Sequence, residues 1–137
     1  GMDEVRRMSR PARARSDGAP QGGGIIIDSR APERYRGEVE PLDPVAGHIP
    51  GARNLPWMDN VDPRGFFRPR EELRNRFENF PPDMEGVVFH CGSGVSACVN
   101  LLALEHVGLP GAKLYVGGWS KWYSVADNPV AVGDEPG

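Results

Sequence analysis

The sequence predicts an α/β fold: a central parallel sheet with helices on both faces. Two observations carry this reading. IIIDSR (25–30), VVFH (87–90) and AKLYVGGW (112–119) are short apolar runs rich in β-branched or aromatic side chains, the mark of buried strands. Helical patterns separate them, as parallel crossovers require. With 137 residues, 39% of them hydrophobic, the chain suits one domain around one core.

The elements follow in order. Residues 1–24, GMDEVRRMSRPARARSDGAPQGGG, are rich in Arg, Gly, Pro, Ala and Ser and show almost no apolar periodicity. Such a segment buries too little surface to offset its ordering entropy, so it reads as a disordered tail or linker remnant, with the folded domain spanning 25–137. Its five arginines fit a solvated tail better than a site for an acidic partner. The first strand ends at Asp28, and APERYRG (31–37) is a short helix or turn. The stretch 38–57 is loop, with a small strand near 52–55 bracketed by Pro50 and Pro56. RPREELRNRFENF (68–80) is an amphipathic helix: Pro69 suits its first position, and Leu73, Phe77 and Phe80 share one face. A second helix covers 95–107, with Val95, Val99, Leu102 and Val107 among its apolar positions and Gly108 and Pro110 closing it. The third core strand, 112–119, runs into a Gly-Gly turn.

Composition narrows the function. A net charge of −3 argues against nucleic acid as the main partner. Two cysteines are too few for a disulfide scaffold, which points to a reducing, cytoplasmic setting. The apolar runs are short and MDEVRRMSR leads into no apolar stretch, so neither a membrane span nor a secretory signal is expected. Gly1 before Met2 reads as a residue left by tag cleavage.

Of the two cysteines, Cys91 stands where a strand hands over to a helix, in VVFHCGSGVSACVN. In parallel sheets ligands bind beyond the carboxyl ends of the strands. The loop Gly92, Ser93, Gly94, Val95, Ser96 has two glycines that let backbone N–H groups converge, and the helix adds the positive end of its dipole. Such surroundings stabilise a thiolate, against the plainer reading of a buried structural cysteine. Phosphatases with this layout grip phosphate with an arginine six positions after the cysteine. Here that position is Ala97 and no arginine intervenes, so the shorter-reaching chemistry of sulfur transfer fits better.

CGSGVSAC, with its strand and helix, resembles the active-site loop of the rhodanese superfamily. Together with DSRAPERYRGEVEP (28–41), GHIPGARNLPW (47–57) and LYVGGWSKWYSVADNPVAVG (114–133), it is similar to the catalytic C-terminal domain of two-domain thiosulfate and 3-mercaptopyruvate sulfurtransferases. The resemblance implies a single rhodanese-like domain in which the Cys91 thiolate takes sulfur from thiosulfate or 3-mercaptopyruvate. It passes that sulfur to a thiophilic acceptor: cyanide, a thiol or a protein cysteine. It implies that the amides from Gly92 to Ser96 hold the persulfide and that no metal or organic cofactor is needed. Arg34 matches an arginine that binds the donor's anionic group, although an ion pair with Asp28 or Glu40 is an equal alternative.

Gly92-Ser93 resembles the loop of mercaptopyruvate enzymes, with Ser93 helping to polarise the donor. However, the interval EVEPLDPVA lacks the second arginine those enzymes place there, which leaves the donor open. Tandem relatives build the site against an N-terminal rhodanese domain that this sequence does not contain. The alternative function is a non-enzymatic interaction or persulfide-carrier module.

The remaining candidates have bland explanations. His90, Cys91 and Cys98 lack the spacing of zinc ligands, and Cys98 is expected in the core. His48 reads as a structural turn residue and His106 as an ordinary helix end. Trp119, Trp122 and Tyr123 are expected to pack the C-terminal wrap, with Trp119 at the wall of the site.

Overall fold

The structure, a computed structural model, describes residues 1–9, 24–81, 84–92 and 96–136. Four parallel strands form one sheet: β1 (Ile25–Asp28), β2 (Arg53–Asn54), β3 (Val87–His90) and β4 (Lys113–Leu114), in the order β2-β1-β3-β4. The two central strands, β1 and β3, pair from Ile25 opposite Val87 to Asp28 opposite His90. Five α-helices are described: α1 (Met2–Ser9), α2 (Pro32–Arg36), α3 (Arg70–Arg76), α4 (Ala97–His106) and α5 (Gly118–Tyr123). Trp57–Asn60 form a 3₁₀ turn.

Alternation along the central strands divides the core in two. Ile27, Val87, Phe89 and Cys91 pack with Leu73 and Phe77 and with Ala97, Ala103 and Leu104 of α4. Ile26 and Val88 face the other way, onto Val5 of α1, Tyr35 of α2, and Trp119 and Trp122 of α5. Both faces are therefore covered, which is why the central strands read as unbroken apolar runs. The α/β expectation of a parallel sheet between helices holds.

Four local readings are corrected. Residues 2–9 are a helix docked on the core: Val5 is buried, with Met2 and Met8 packed beside it. Three apolar residues at i, i+3 and i+6 make a stripe too narrow to stand out in an Arg-rich segment. Arg6 Nε donates to Asn128 Oδ1 at 2.6 Å and fixes the helix from 122 positions away. The rest of the expected tail, 10–23, lies outside the described residues.

The strand expected over 112–119 is β4, only two residues long, and the Gly-Gly turn opens helix α5 instead of ending a strand. Helix α3 stops at Arg76, well short of Phe80, although Phe77 and Phe80 still reach the core. A proline at 81 disfavours helical backbone at Phe80.

Finally, Cys98 and Leu102 are exposed rather than in the core. Helix α4 has apolar residues on every side, so periodicity could not single out its inner face. That face is Ala97, Asn100, Ala103 and Leu104. Asn100 is the informative member. Its Nδ2 donates to Ser29 Oγ at 2.8 Å and to the Leu55 carbonyl at 2.9 Å, and its Oδ1 accepts from Asn60 and Arg76.

Candidate active site

The carboxyl ends of β1 and β3 lie side by side and present Asp28, His90 and then Cys91 at one edge of the sheet. Cys91 is 1% exposed and faces α4, as the alternation from Val87 and Phe89 demands. Ser96 occupies the N-cap position of α4, with helical backbone and no side-chain capping hydrogen bond. Ser93, Gly94 and Val95 lie outside the described residues, so the expected ring of loop amides rests on the sequence for those three.

The main chain of Cys91 and Gly92 is held from α5. Trp119 N donates to the Cys91 carbonyl at 2.8 Å and Ser120 N to the Gly92 carbonyl at 3.0 Å. Gly118 makes this approach possible. Its φ is +60°, and a Cβ there would stand 2.6 Å from both the Cys91 and Gly92 carbonyl oxygens. His90 Nδ1 also donates to the Cys91 carbonyl, at 3.1 Å. Trp119 is fully buried, its Nε1 donating to Val45 at 2.9 Å, so it supports the site from behind.

A chain of charges runs from the sheet edge to the surface. Asp28 is buried and accepts three hydrogen bonds from the Arg30 side chain, the shortest 2.6 Å from Nη2, and one from the Arg30 backbone N–H. Burial alone would raise this carboxyl, but the facing His90, wherever acid protonates its ring, and the Arg30 guanidinium outweigh it and hold it below its usual range. His90 Nε2 stands 3.9 Å from Asp28 Oδ2. Burial lowers the His90 pKa despite that neighbour, so the ring is neutral at pH 7.

Arg30 reaches Glu40 at 3.5 Å and stacks over the Trp119 ring at 5.0 Å. Glu40 in turn grips Arg34: Nη2 donates at 2.9 Å and Nε at 3.1 Å. Arg34 Nη2 also lies 3.4 Å from Asp43 Oδ2. Asp43 Oδ1 accepts from Ser120 Oγ and Tyr123 Oη, both at 3.0 Å. Burial and this carboxylate push the Tyr123 hydroxyl up.

Arg34 thus stands beside the cysteine loop: a Cβ on Gly92 would lie 3.5 Å from its Nη2. Of the two ion pairs expected for it, the Glu40 pair forms, while Asp28 is taken by Arg30. Sequence reasoning missed Asp43, Ser120, Tyr123 and Gly118 as parts of the site. For Gly118 and Ser120 the signal was the tight Gly-Gly-Trp-Ser run, whose meaning depends on which strand end it meets; Asp43 and Tyr123 lie outside that run. His48 is structural as expected: it stacks on Tyr35 at 3.8 Å, and its ring nitrogens meet the Tyr35 and Pro136 carbonyls. Gly47 before it has φ +119°, and a Cβ there would fall 2.5 Å from the Ala131 carbonyl. Among the described residues, no three His, Cys, Asp or Glu side chains cluster to hold a metal ion. No helix of the described residues is long and apolar enough to cross a membrane.

A parallel sheet with a cysteine at the carboxyl end of a central strand, followed by a short glycine loop and a helix, defines the class. The chain belongs to the rhodanese-like domain family, whose model matches residues 12–125. It is 48% identical over 116 residues to the "Probable 3-mercaptopyruvate sulfurtransferase" of Pseudomonas aeruginosa, which takes in 83% of this chain and 41% of that one. A Mycobacterium tuberculosis relative with "thiosulfate sulfurtransferase" in its name is 44% identical over 116 residues, 84% of this chain and 40% of its own. The solved 3-mercaptopyruvate sulfurtransferase of Leishmania major superposes with a TM-score of 0.70 at 38% identity, covering 83% of this chain and 33% of the other. The chain therefore spans about two fifths of the length of the curated relatives it matches.

Proposed function

We propose that this domain is a sulfurtransferase that carries sulfur on Cys91. The observation that carries the reading is the placement of Cys91 at the carboxyl end of β3, on the face covered by α4, with Arg34 beside Gly92. The names of the relatives support the reaction class. The positive end of α4 and the amides of the Gly92–Ser96 loop favour a negative charge at the cysteine.

The first half-reaction forms an S–S bond between the Cys91 thiolate and the donor's outer sulfur. With thiosulfate, the donor's own S–S bond breaks and sulfite leaves with the electron pair. With 3-mercaptopyruvate, the C–S bond breaks and the departing enolate takes a proton to become pyruvate. Cys91 becomes a persulfide. A thiophilic acceptor then attacks the outer sulfur, cyanide giving thiocyanate, and the Cys91 thiolate is restored.

Arg34 binds the donor's anionic group, and Ser93 assists donor binding from the loop. Incubation with donor should add one sulfur atom to the intact mass, mapped to Cys91 and removed by cyanide. Cys91→Ser should abolish it. Sulfur found on Cys98, or unaltered transfer by the Ser variant, would overturn the mechanism.

A further inference from the structure

Five charged side chains form one network that reaches the mouth of the proposed site, and their charges do not match the demands of every donor. Arg30 is committed to the buried Asp28, and Arg34 is held along one edge by Glu40 at 2.9 and 3.1 Å. A third carboxylate, Asp43, stands 3.4 Å from the same Nη2 of Arg34. Two guanidinium groups thus face three carboxylates in one connected network, and His90 at its inner end is neutral. The network carries one net negative charge.

Nothing in the neighbouring loop offsets that charge with a side chain. Gly92, Ser93, Gly94, Val95 and Ser96 are all uncharged. Lys121, next along α5 from Ser120, is exposed, and solvent screens its charge. Asp43 itself is not a wandering surface acid. Its side chain is 11% exposed, and Ser120 Oγ and Tyr123 Oη hold its other oxygen at 3.0 Å each. Ser120 also donates its backbone N–H to Gly92, so one residue ties Asp43 to the cysteine loop.

We propose that Asp43 is a specificity-determining residue that turns the site against dianionic donors such as thiosulfate and toward a singly charged mercapto-carboxylate. The assignment rests on the sulfurtransferase reading of Cys91. A single carboxylate can share or replace the longer Asp43 contact on Arg34 Nη2 while Glu40 keeps its grip on the other edge. A dianion brings a second negative charge next to Asp43, and among the described residues no further cation lies in the network to receive it. Discrimination then comes from repulsion built into the site, not from an added attraction.

The test compares both donors in the full chain, by kcat/KM and by single-turnover sulfur loading of Cys91. Asp43→Asn keeps an oxygen for Ser120 and Tyr123 while removing the charge. It should raise the ratio of kcat/KM for thiosulfate to that for 3-mercaptopyruvate about tenfold, as expected when one like charge is removed. Ser120→Ala and Tyr123→Phe loosen Asp43 without altering any charge, and each should shift the donor ratio the same way by a smaller factor. These two variants carry the test if Asp43→Asn folds poorly. A ratio unchanged in all folded variants, or moved toward 3-mercaptopyruvate, overturns the assignment even if Cys91 accepts sulfur. A wild-type chain that loads no sulfur from either donor overturns the transfer reading and this assignment with it.

Discussion

Gly118 and His90 both touch the Cys91 carbonyl, and each can be tested by one substitution. At Gly118 a methyl group meets two carbonyl oxygens at 2.6 Å on a backbone of φ +60°. The left-handed conformation alone costs a side-chain residue about 1–3 kcal/mol, and the oxygens belong to the cysteine loop and cannot retreat without moving it. Gly118→Ala should therefore lower both the unfolding free energy and the rate of sulfur loading on Cys91. A variant with wild-type urea midpoint and loading rate would show that α5 does not brace the loop.

His90 predicts a pH dependence. Its folded pKa lies below the unfolded 6.5, so the unfolded chain binds more protons as the pH falls through 6.5. The stability is fully present above that value and is lost on acidification. Asp28 acts in the same direction lower down: its stabilisation is present above about 3.8 and fades as pH falls through its depressed folded value. Urea titrations at pH 7.5 and 5.5 should show a loss of stability at the lower pH, and His90→Gln should reduce that loss. An identical loss in the variant would place the sensitivity elsewhere.

Helix α4 shows how packing sorts residues of the same type. Leu104 is 1% exposed and Leu102 is 56% exposed, two positions apart on one helix. Leu104→Ala should cost about 2–5 kcal/mol, whereas Leu102→Ala should stay within about 0.5 kcal/mol. Thermal or urea unfolding of the two variants checks this, and equal effects would contradict the inner face described above. The same geometry predicts that a bulky maleimide modifies exposed Cys98 in the native chain much faster than buried Cys91, as peptide mapping would show. Asn100 on the inner face links α4 to Ser29 and Leu55, near the carboxyl ends of β1 and β2, and so fixes the helix whose N-terminus faces the cysteine. Its partner Arg76 donates to Asn60, Asn100 and the Pro56 carbonyl, none of them acidic, among the described residues. Burial lowers Arg76 to about 10, still charged at neutral pH.

On the scale of the whole molecule, α1 is where chain order and spatial order part. Val5 packs with Ile26 and Trp122 across the sheet face opposite α4, and Arg6 and Lys113 anchor the helix through Asn128 and Glu4. Burying one valine contributes about 1.5–3 kcal/mol. Val5→Asp or removal of residues 1–9 should therefore destabilise the chain by at least that much, measured by urea unfolding. No change would mean that α1 adds nothing to the core.

The sequence by itself determined the parallel sheet, the cysteine at its carboxyl edge and the family, because buried strands and a glycine loop leave local marks: short β-branched runs, and Gly beside Cys. It also brought Arg34 and Glu40 forward as candidates. Only the tertiary structure decided that Asp43 stands on the same Arg34 nitrogen, that Gly118 lets α5 reach the Cys91 carbonyl, that Cys98 faces outward, and that Met2–Ser9 dock as a helix. The contacts of Gly118, Met2–Ser9 and the face of Cys98 depend on residues tens of positions apart meeting across packed layers, and the Arg34–Asp43 contact on how the loop between them folds back. An apolar pattern reports whether a residue seeks burial but not which partner it will find, and a charge pattern says even less, since an ion pair's worth is set by the surroundings into which the fold delivers it.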